Sequence, residues 1–260
     1  MAKVVGKKVK DGLGGQLRLV VSGGAPISPS TLETWSKLGF CIVEGYGITE
    51  TAPVISVNPP NAPKVGTVGK PLVNVDVKID NPNPEGIGEI CARGENVMQG
   101  YWNNPEETAK VLVDGWYHTG DLGYFDEDGY IVISGRKKSL IVNREGKNIY
   151  PEEVELQVLK SDLVLECLAL GYREADETGE RVGLIVVPNQ EVIDEMQSLE
   201  GTSLSDEQIE TKVREDIKKK LQTLSDYKRP RKIDVRFEEF EKTTTQKIKR
   251  YLYTFDSAGK

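Results

Sequence analysis

Two short apolar runs, each ending in glycine, constrain this chain more than any other feature. "GQLRLVVSGGAP" reads as a buried strand entering a glycine loop, and "FCIVEG" as a second strand leading into "GYGITET" at residues 45–51. Between them, "SPSTLETWSKLG" is punctuated as a helix, with Ser28 at the N-cap, Pro29 at the first helical position and Gly39 as the stop. Strand, loop, helix, strand is the beginning of a parallel α/β layer, where ligands gather at the carboxyl ends of the strands. Both glycine runs fall at such ends. The glycines of the heptad allow backbone conformations closed to residues with a Cβ, or a close approach by another molecule, so Tyr46 is expected at a bend. Thr49, Glu50 and Thr51 follow with two hydroxyls and a carboxylate, oxygen donors suited to magnesium and phosphate. The heptad also reads as a polar strand-to-loop turn with Tyr46 packed on the core.

From about residue 65 the pattern changes to short alternating segments such as "NVDVKID", "GIGEICARG" and "GYIVISG", separated by Gly, Pro, Asn and Asp, which predicts a small β subdomain. Within it, Asn104 as N-cap, Pro105 at N1 and Glu107 at N3 predict a short capped helix. Asp121 follows a glycine in "HTGDLG", where a carboxylate can accept two hydrogen bonds at once, as from the paired hydroxyls of a ribose, or simply form a turn. After "SGRKK", a polar stretch that reads as an interdomain hinge, helix and strand return. "PEEVELQVLKS" and "SDEQIETKVREDIKKKLQTL" are helical, and "LVLECLALGY" and "ERVGLIVVP" are strands. This predicts a separate α+β domain. Near the end, "EKTTTQKIKR" carries Lys242, Lys247, Lys249 and Arg250, and by itself also reads as a polar tail.

The 260 residues carry a formal net charge of −7, which argues against broad nucleic-acid binding. No run approaches the ~20 apolar residues of a membrane helix, and the basic start lacks the apolar block of a signal peptide, so a cytoplasmic protein without a transmembrane segment is expected. Cys41, Cys91 and Cys167 lie far apart and His118 is the single histidine, which excludes a disulfide framework, histidine metal clusters and most triads within this chain.

In order, "SGGAP", "GYGITET", "YHTGDLGYFDEDGY", "SGRKK", "GKNIYPEEVE" and "TTTQKIKR" resemble the successive signature motifs of the acyl-adenylate-forming superfamily, most closely the C-terminal part of long-chain fatty acyl-CoA synthetases. The resemblance implies activation of a fatty acid by ATP through an acyl-adenylate, then transfer to coenzyme A, with membranes met only through the substrate. It implies that Gly23, Gly24 and Ala25 line the adenosine and acyl side, and that Gly45, Tyr46 and Gly47 lie against adenine. Thr49 would donate to phosphate, Glu50 would hold Mg²⁺, Asp121 would accept both ribose hydroxyls, and Arg136 would hold the ribose and phosphate side. Lys247 would serve adenylation, Lys138 would be the pivot of a rotating C-terminal domain, and Gly146 would line the pantetheine tunnel. The organisation implied is a partial α/β subdomain of the adenylating domain over 1–64, a small β subdomain over 65–135, and a C-terminal α+β domain over 136–260.

Three departures qualify the match. Gln246 stands where the family commonly has glycine, and Ser139 where an aspartate often follows the pivot. The family's phosphate-binding run ending in Pro-Lys-Gly does not occur in the sequence. The expectation is therefore a piece of a longer enzyme, or one half of a split one, completed by its missing N-terminal portion. A nucleotide-binding or interaction module without turnover is the alternative, as is ligation to a carrier protein or adenylation of an amino acid.

Overall fold

The structure is a computed structural model that describes residues 2–174, 178–244 and 246–255. It is a mixed α and β fold with several sheets, and the chain divides into two compact units, Met1–Lys137 and Lys138–Lys260.

The first unit contains α1 (Ala2–Gly12), β1 (Val20–Ser22), α2 (Pro29–Lys37), β2 (Ile42–Gly47), β3 (Val54–Val57), β4 (Lys70–Pro71), β5 (Val75–Asp80), β6 (Gly88–Gly94), α3 (Pro105–Val111), β7 (Leu112–Val113), β8 (Trp116–Phe125) and β9 (Ile131–Arg136). The helix caps lie where the sequence puts them: the Ser28 hydroxyl accepts from the Thr31 N–H at 3.1 Å, and the Asn104 side chain from the Glu107 N–H at 3.2 Å. β1 and β2 are parallel, but β3 and β4 join the same sheet antiparallel. The predicted parallel layer is thus a single parallel pair. The reversal has a local cause: Thr49–Thr51 makes one 3-10 turn and Ala52 adopts a left-handed φ of 52°, which sends the chain straight back along β2. β5, β6, β7, β8 and β9 form a second, wholly antiparallel sheet around β8. Tyr46 and Ile55 of the first sheet share a buried cluster with Ile90, Ala92 and Ile131 of the second.

The second unit contains β10 (Ile141–Val142), β11 (Asn148–Ile149), α4 (Pro151–Val158), β12 (Val164–Tyr172), β13 (Arg181–Pro188), α5 (Gln190–Glu200), α6 (Asp206–Lys220) and β14 (Lys232–Val235). β12 lies at the edge of a sheet ordered β12, β13, β14. The two-residue period of a strand sorts its side chains between two cores. Cys167, Ala169, Leu184 and Val186 join α4 and the Ile209, Val213, Ile217 stripe of α6, whereas Leu168 and Val187 on the opposite face join Phe240, with Ile248 and Tyr253 packed beside them. The C-terminal segment therefore lies on one face of the sheet and the helices on the other. Among the described residues no helix is long and apolar enough to cross a membrane.

Candidate functional site

Strand pairing assembles the charged centre of the first unit. Asp121 and Arg136 stand opposite each other across β8 and β9, and the Arg136 Nε donates to Asp121 Oδ1 at 2.7 Å. The Tyr46 hydroxyl donates to Asp121 Oδ2 at 2.6 Å, and the Asp121 N–H is tied to the Thr119 hydroxyl at 3.0 Å. Asp121 is only 4% exposed. Both of its oxygens already hold a donor, so ligand hydroxyls would share or displace Tyr46 and Arg136. Burial, and then the Asp121 charge, push the Tyr46 phenol well above its ordinary range, which keeps it a neutral donor. The Tyr46 ring is packed in the core, as the second sequence reading of the heptad had it, and only its hydroxyl reaches the site.

The glycines around Tyr46 lie in the strand end, where a register shift between Tyr46 and Gly47 supplies the bend. At Gly47 the returning chain comes so close that a Cβ would stand 1.9 Å from the Pro53 carbonyl oxygen. Gly23 lies against the Gly45 carbonyl, 3.1 Å from where its Cβ would be, so the "SGGAP" and "GYG" segments meet edge to edge. Gly24 and Ala25 are exposed beside them.

The two hydroxyls after Ile48 differ in their availability. Thr51 is fully buried and its hydroxyl is spent on the Pro53 carbonyl at 2.7 Å, whereas Thr49 is exposed. Glu50 is half-buried and accepts from the Tyr101 hydroxyl at 2.9 Å through Oε1. Tyr101 bonds in turn to Tyr117, whose phenol is raised first by burial, then by Tyr101 and by the charges of Glu50 and Asp121. Tyr101 and Tyr117 thus lead from the Glu50 turn to β8, the strand that carries Asp121. The sequence reading passed over both; the aromatic pairs "GYW" and "WYH" were the available signal. Among the described residues no three His, Cys, Asp or Glu side chains gather into a metal-binding group. Magnesium is usually held by one or two carboxylates plus phosphate and water, and Glu50 with the exposed Thr49 hydroxyl fits that limited role.

Glu89 braces this centre from behind. Its carboxylate accepts from the Gly120 N–H at 3.0 Å and from Lys137 at 2.8 Å, and lies 3.3 Å from His118 Nδ1. Burial alone would raise the Glu89 carboxyl, but Lys137, His118 and the Gly120 amide outweigh it and hold the group below its ordinary value. Neighbouring Cys91 is pushed up to about 12 by burial and by Glu89 and Asp80, so it is not a nucleophile.

In the second unit, Lys138 is exposed in a 3-10 turn over Lys137–Ser139. Gly146 takes φ +74° in a tight turn closed by the Asn143 side chain, which accepts from the Glu145 and Lys147 amides at 3.0 and 2.8 Å. This turn forms one wall of an open cleft of about 350 Å³, with Arg181, Tyr227, Arg229 and Arg231 on the other walls. Lys247 is exposed in a loop where the Thr243 N–H donates to the Lys247 carbonyl at 2.8 Å. Thr245 lies outside the described residues. Gln246 holds φ +61°, the left-handed conformation that glycine adopts freely. Burial raises Glu155 above the usual carboxylate range, although Arg250 beside it pulls the other way.

Residues 2–102 match the family of AMP-binding enzymes. The long-chain-fatty-acid–CoA ligase of Salmonella typhimurium is 36% identical over 251 residues, 94% of this chain and 41% of that protein. That of Haemophilus influenzae is 37% identical over the same shares, and the long-chain-fatty-acid–CoA ligase FadD15 of Mycobacterium bovis is 39% identical over 65% of this chain and 27% of its own. Among solved structures, O-succinylbenzoate coenzyme A synthetase from Bacillus subtilis in complex with ATP and magnesium superposes with a TM-score of 0.74 at 28% identity, covering 94% of this chain and 49% of that one. The anthranilate CoA ligase AuaEII in complex with anthranoyl-AMP gives a TM-score of 0.75 at 26% identity, covering 92% and 44%. The chain is thus similar over most of its length to CoA ligases that form adenylates, and its residues 2–102 match the AMP-binding enzymes. Its curated relatives are long-chain fatty acid CoA ligases, and it spans about two fifths of their length.

Proposed function

We propose that the chain is the C-terminal part of an ATP-dependent fatty acid CoA ligase, which joins a fatty carboxylate to AMP with loss of pyrophosphate and then passes the acyl group to the thiol of coenzyme A. The observation that carries this reading is the buried Asp121 carboxylate of β8, held between the Tyr46 hydroxyl and Arg136. A fixed carboxylate with a guanidinium next to it suits the ribose hydroxyls and the phosphate of an adenylate. The backbone of Gly45 and Gly47, with Gly23 alongside, offers a flat edge to adenine. Thr49 donates to the phosphate. Glu50, oriented by Tyr101, takes the magnesium, which when bound would neutralise polyphosphate charge.

Lys247 supplies a compact, movable cation for the charge that develops as the carboxylate attacks the α-phosphorus. Lys138 is the pivot by which the second unit, Lys138–Lys260, alternates between the two half-reactions. The cleft beside the Gly146 turn, lined by Arg144, Arg181, Arg229, Arg231 and Tyr227 but also by Glu145, Glu180 and Asp226, is the place we assign to the acceptor, coenzyme A.

The test is ATP–pyrophosphate exchange with a panel of fatty acids, by the chain alone and by the chain mixed with the missing N-terminal portion. Exchange is expected only in the mixture, since positioning and charge stabilisation of the phosphates carry most of such a reaction. Robust exchange by the chain alone would overturn the split. Nucleotide binding with no exchange in either sample would favour a module without turnover, the reading supported by the lack of a Pro-Lys-Gly run in the sequence.

A further inference from the structure

We infer that Glu155 and Arg250 form a clasp that sets the position of the Lys247 loop, which makes them positioning residues for the first half-reaction; the inference rests on the role given to Lys247 above. β12 is an edge strand, and an edge exposes unpaired backbone groups. At Ala169 that edge is closed by side chains. Its N–H donates to Glu155 Oε1 at 2.8 Å, its carbonyl accepts from the Arg250 guanidinium at 3.1 Å, and the guanidinium meets both Glu155 oxygens at 2.5 and 2.6 Å. One peptide group, one carboxylate and one guanidinium satisfy one another in a place with little water.

Glu155 comes from α4 and Arg250 opens the 3-10 turn Arg250–Leu252 that follows the Lys247 loop, so the pair joins segments 95 residues apart. The other stem is tied to the same strand, because Lys242 pairs with Glu166, whose carboxylate also accepts the Phe240 N–H at 3.1 Å. Lys242 and Ile248 bridge each other across the loop, and Ile248 packs with Leu168 and Phe240. Lys247 itself is exposed. A lysine on four flexible bonds carries no geometry of its own, so the placement of its backbone decides where the charge can go. A partly buried ion pair is a weak device for stability alone, since much of its attraction is offset by lost hydration. Its use here is the fixing of position.

The test is amide hydrogen exchange on the whole 260-residue chain, native and as Glu155→Gln, which keeps the shape and removes the charge. The Thr243, Gln246, Lys247 and Lys249 amides should exchange about tenfold faster or more, while amides in the centre of β13 and throughout the first unit keep native rates. Unchanged rates at those four amides would overturn the clasp. If Glu155→Gln disturbs the second unit as a whole, Arg250→Lys decides: this variant keeps the positive charge but lacks the two nitrogens that hold the Glu155 carboxylate and the Ala169 carbonyl together, so the loop alone should loosen, and a loop as protected as the native one would equally overturn the inference. In the enzyme completed by its missing portion, Glu155→Gln should lower kcat for adenylation about tenfold or more with KM for ATP nearly unchanged, because the lysine is misplaced and not removed. Lys247→Ala assayed alongside separates the two ideas. If it leaves adenylation intact, the role of Lys247 fails whatever the exchange data say about the clasp.

Discussion

In the first unit the groups assigned to the ligand are held by strands and by one another: Asp121 is buried with a donor on each oxygen, and Glu89 braces the adjoining amide and Lys137. In the second unit the cation proposed to act, Lys247, is exposed on a loop whose stems are anchored. The contrast teaches how one reaction can use two kinds of charge. Groups that serve the nucleotide throughout work best when the fold holds them rigidly in place, which removes the cost of reorganisation at the moment of reaction. On the proposed roles, a charge needed in only one of two steps has to be able to leave, which a flexible side chain exposed on a tethered loop allows.

If fixation by close backbone packing underlies the first unit, Gly47→Ala should have the largest effect on stability. The added Cβ meets the Pro53 carbonyl oxygen at 1.9 Å, and the loss should be about 3 kcal/mol, the upper part of the range for overpacking. Trp35, Trp102 and Trp116 are the only tryptophans and all lie in the first unit, so denaturant titration followed by tryptophan fluorescence reads this unit separately. An unchanged midpoint would mean that the strand end yields easily and that the site is less rigid than the contrast requires.

Asp121→Ala removes a charged acceptor from a shielded place and should weaken AMP binding by about 1.5 to 3 kcal/mol in calorimetry. Equal AMP affinity in the variant would make Asp121 a structural partner of Tyr46 and Arg136 only. The smallest effect concerns Glu89, whose carboxyl is held below its ordinary value near 4.5. A depressed carboxyl stabilises the folded state fully above the unfolded value, and that contribution is lost as pH falls through the folded value. Native protein should therefore lose first-unit stability below about pH 4.5 more steeply than Glu89→Gln. Parallel pH profiles for the two would remove Glu89 from the bracing role.

Local signals carried much of the fold. Ser28 with Pro29, and Asn104 with Pro105, mark helix starts because a cap and a fixed φ act over a few residues, and the apolar runs of β12 and β13 identify themselves by length and composition. The sequence reading leaves out α1, α5 and β14, together with the short strands β3, β10 and β11. α1 is a basic segment with two glycines, and β14 is a four-residue strand placed by its pairing with β13. The candidate site was legible as residue types in order, but its bonds were not. Tyr46 and Asp121 are 75 residues apart, well beyond the reach of any local rule, and nothing in "GYGITET" states that Thr51 is spent internally while Thr49 is open. The expected bend at Tyr46 is a strand bulge, and Asp121 lies within β8 where a turn was the simplest local reading.

The most direct test of the two-charge account is to assay both half-reactions in the completed enzyme for Lys247→Ala and Lys138→Pro. Lys247→Ala should cut acyl-adenylate formation by about 10²-fold or more, the scale of losing one charge stabiliser, while thioester formation from supplied acyl-AMP and coenzyme A stays close to native. Lys138→Pro should do the reverse, because fixing the backbone angle at the pivot hinders the change between steps and leaves the adenylating arrangement within reach. Equal losses in both steps for both variants would contradict the account, and would reduce the Lys247 loop and the "SGRKK" segment to supports of the fold.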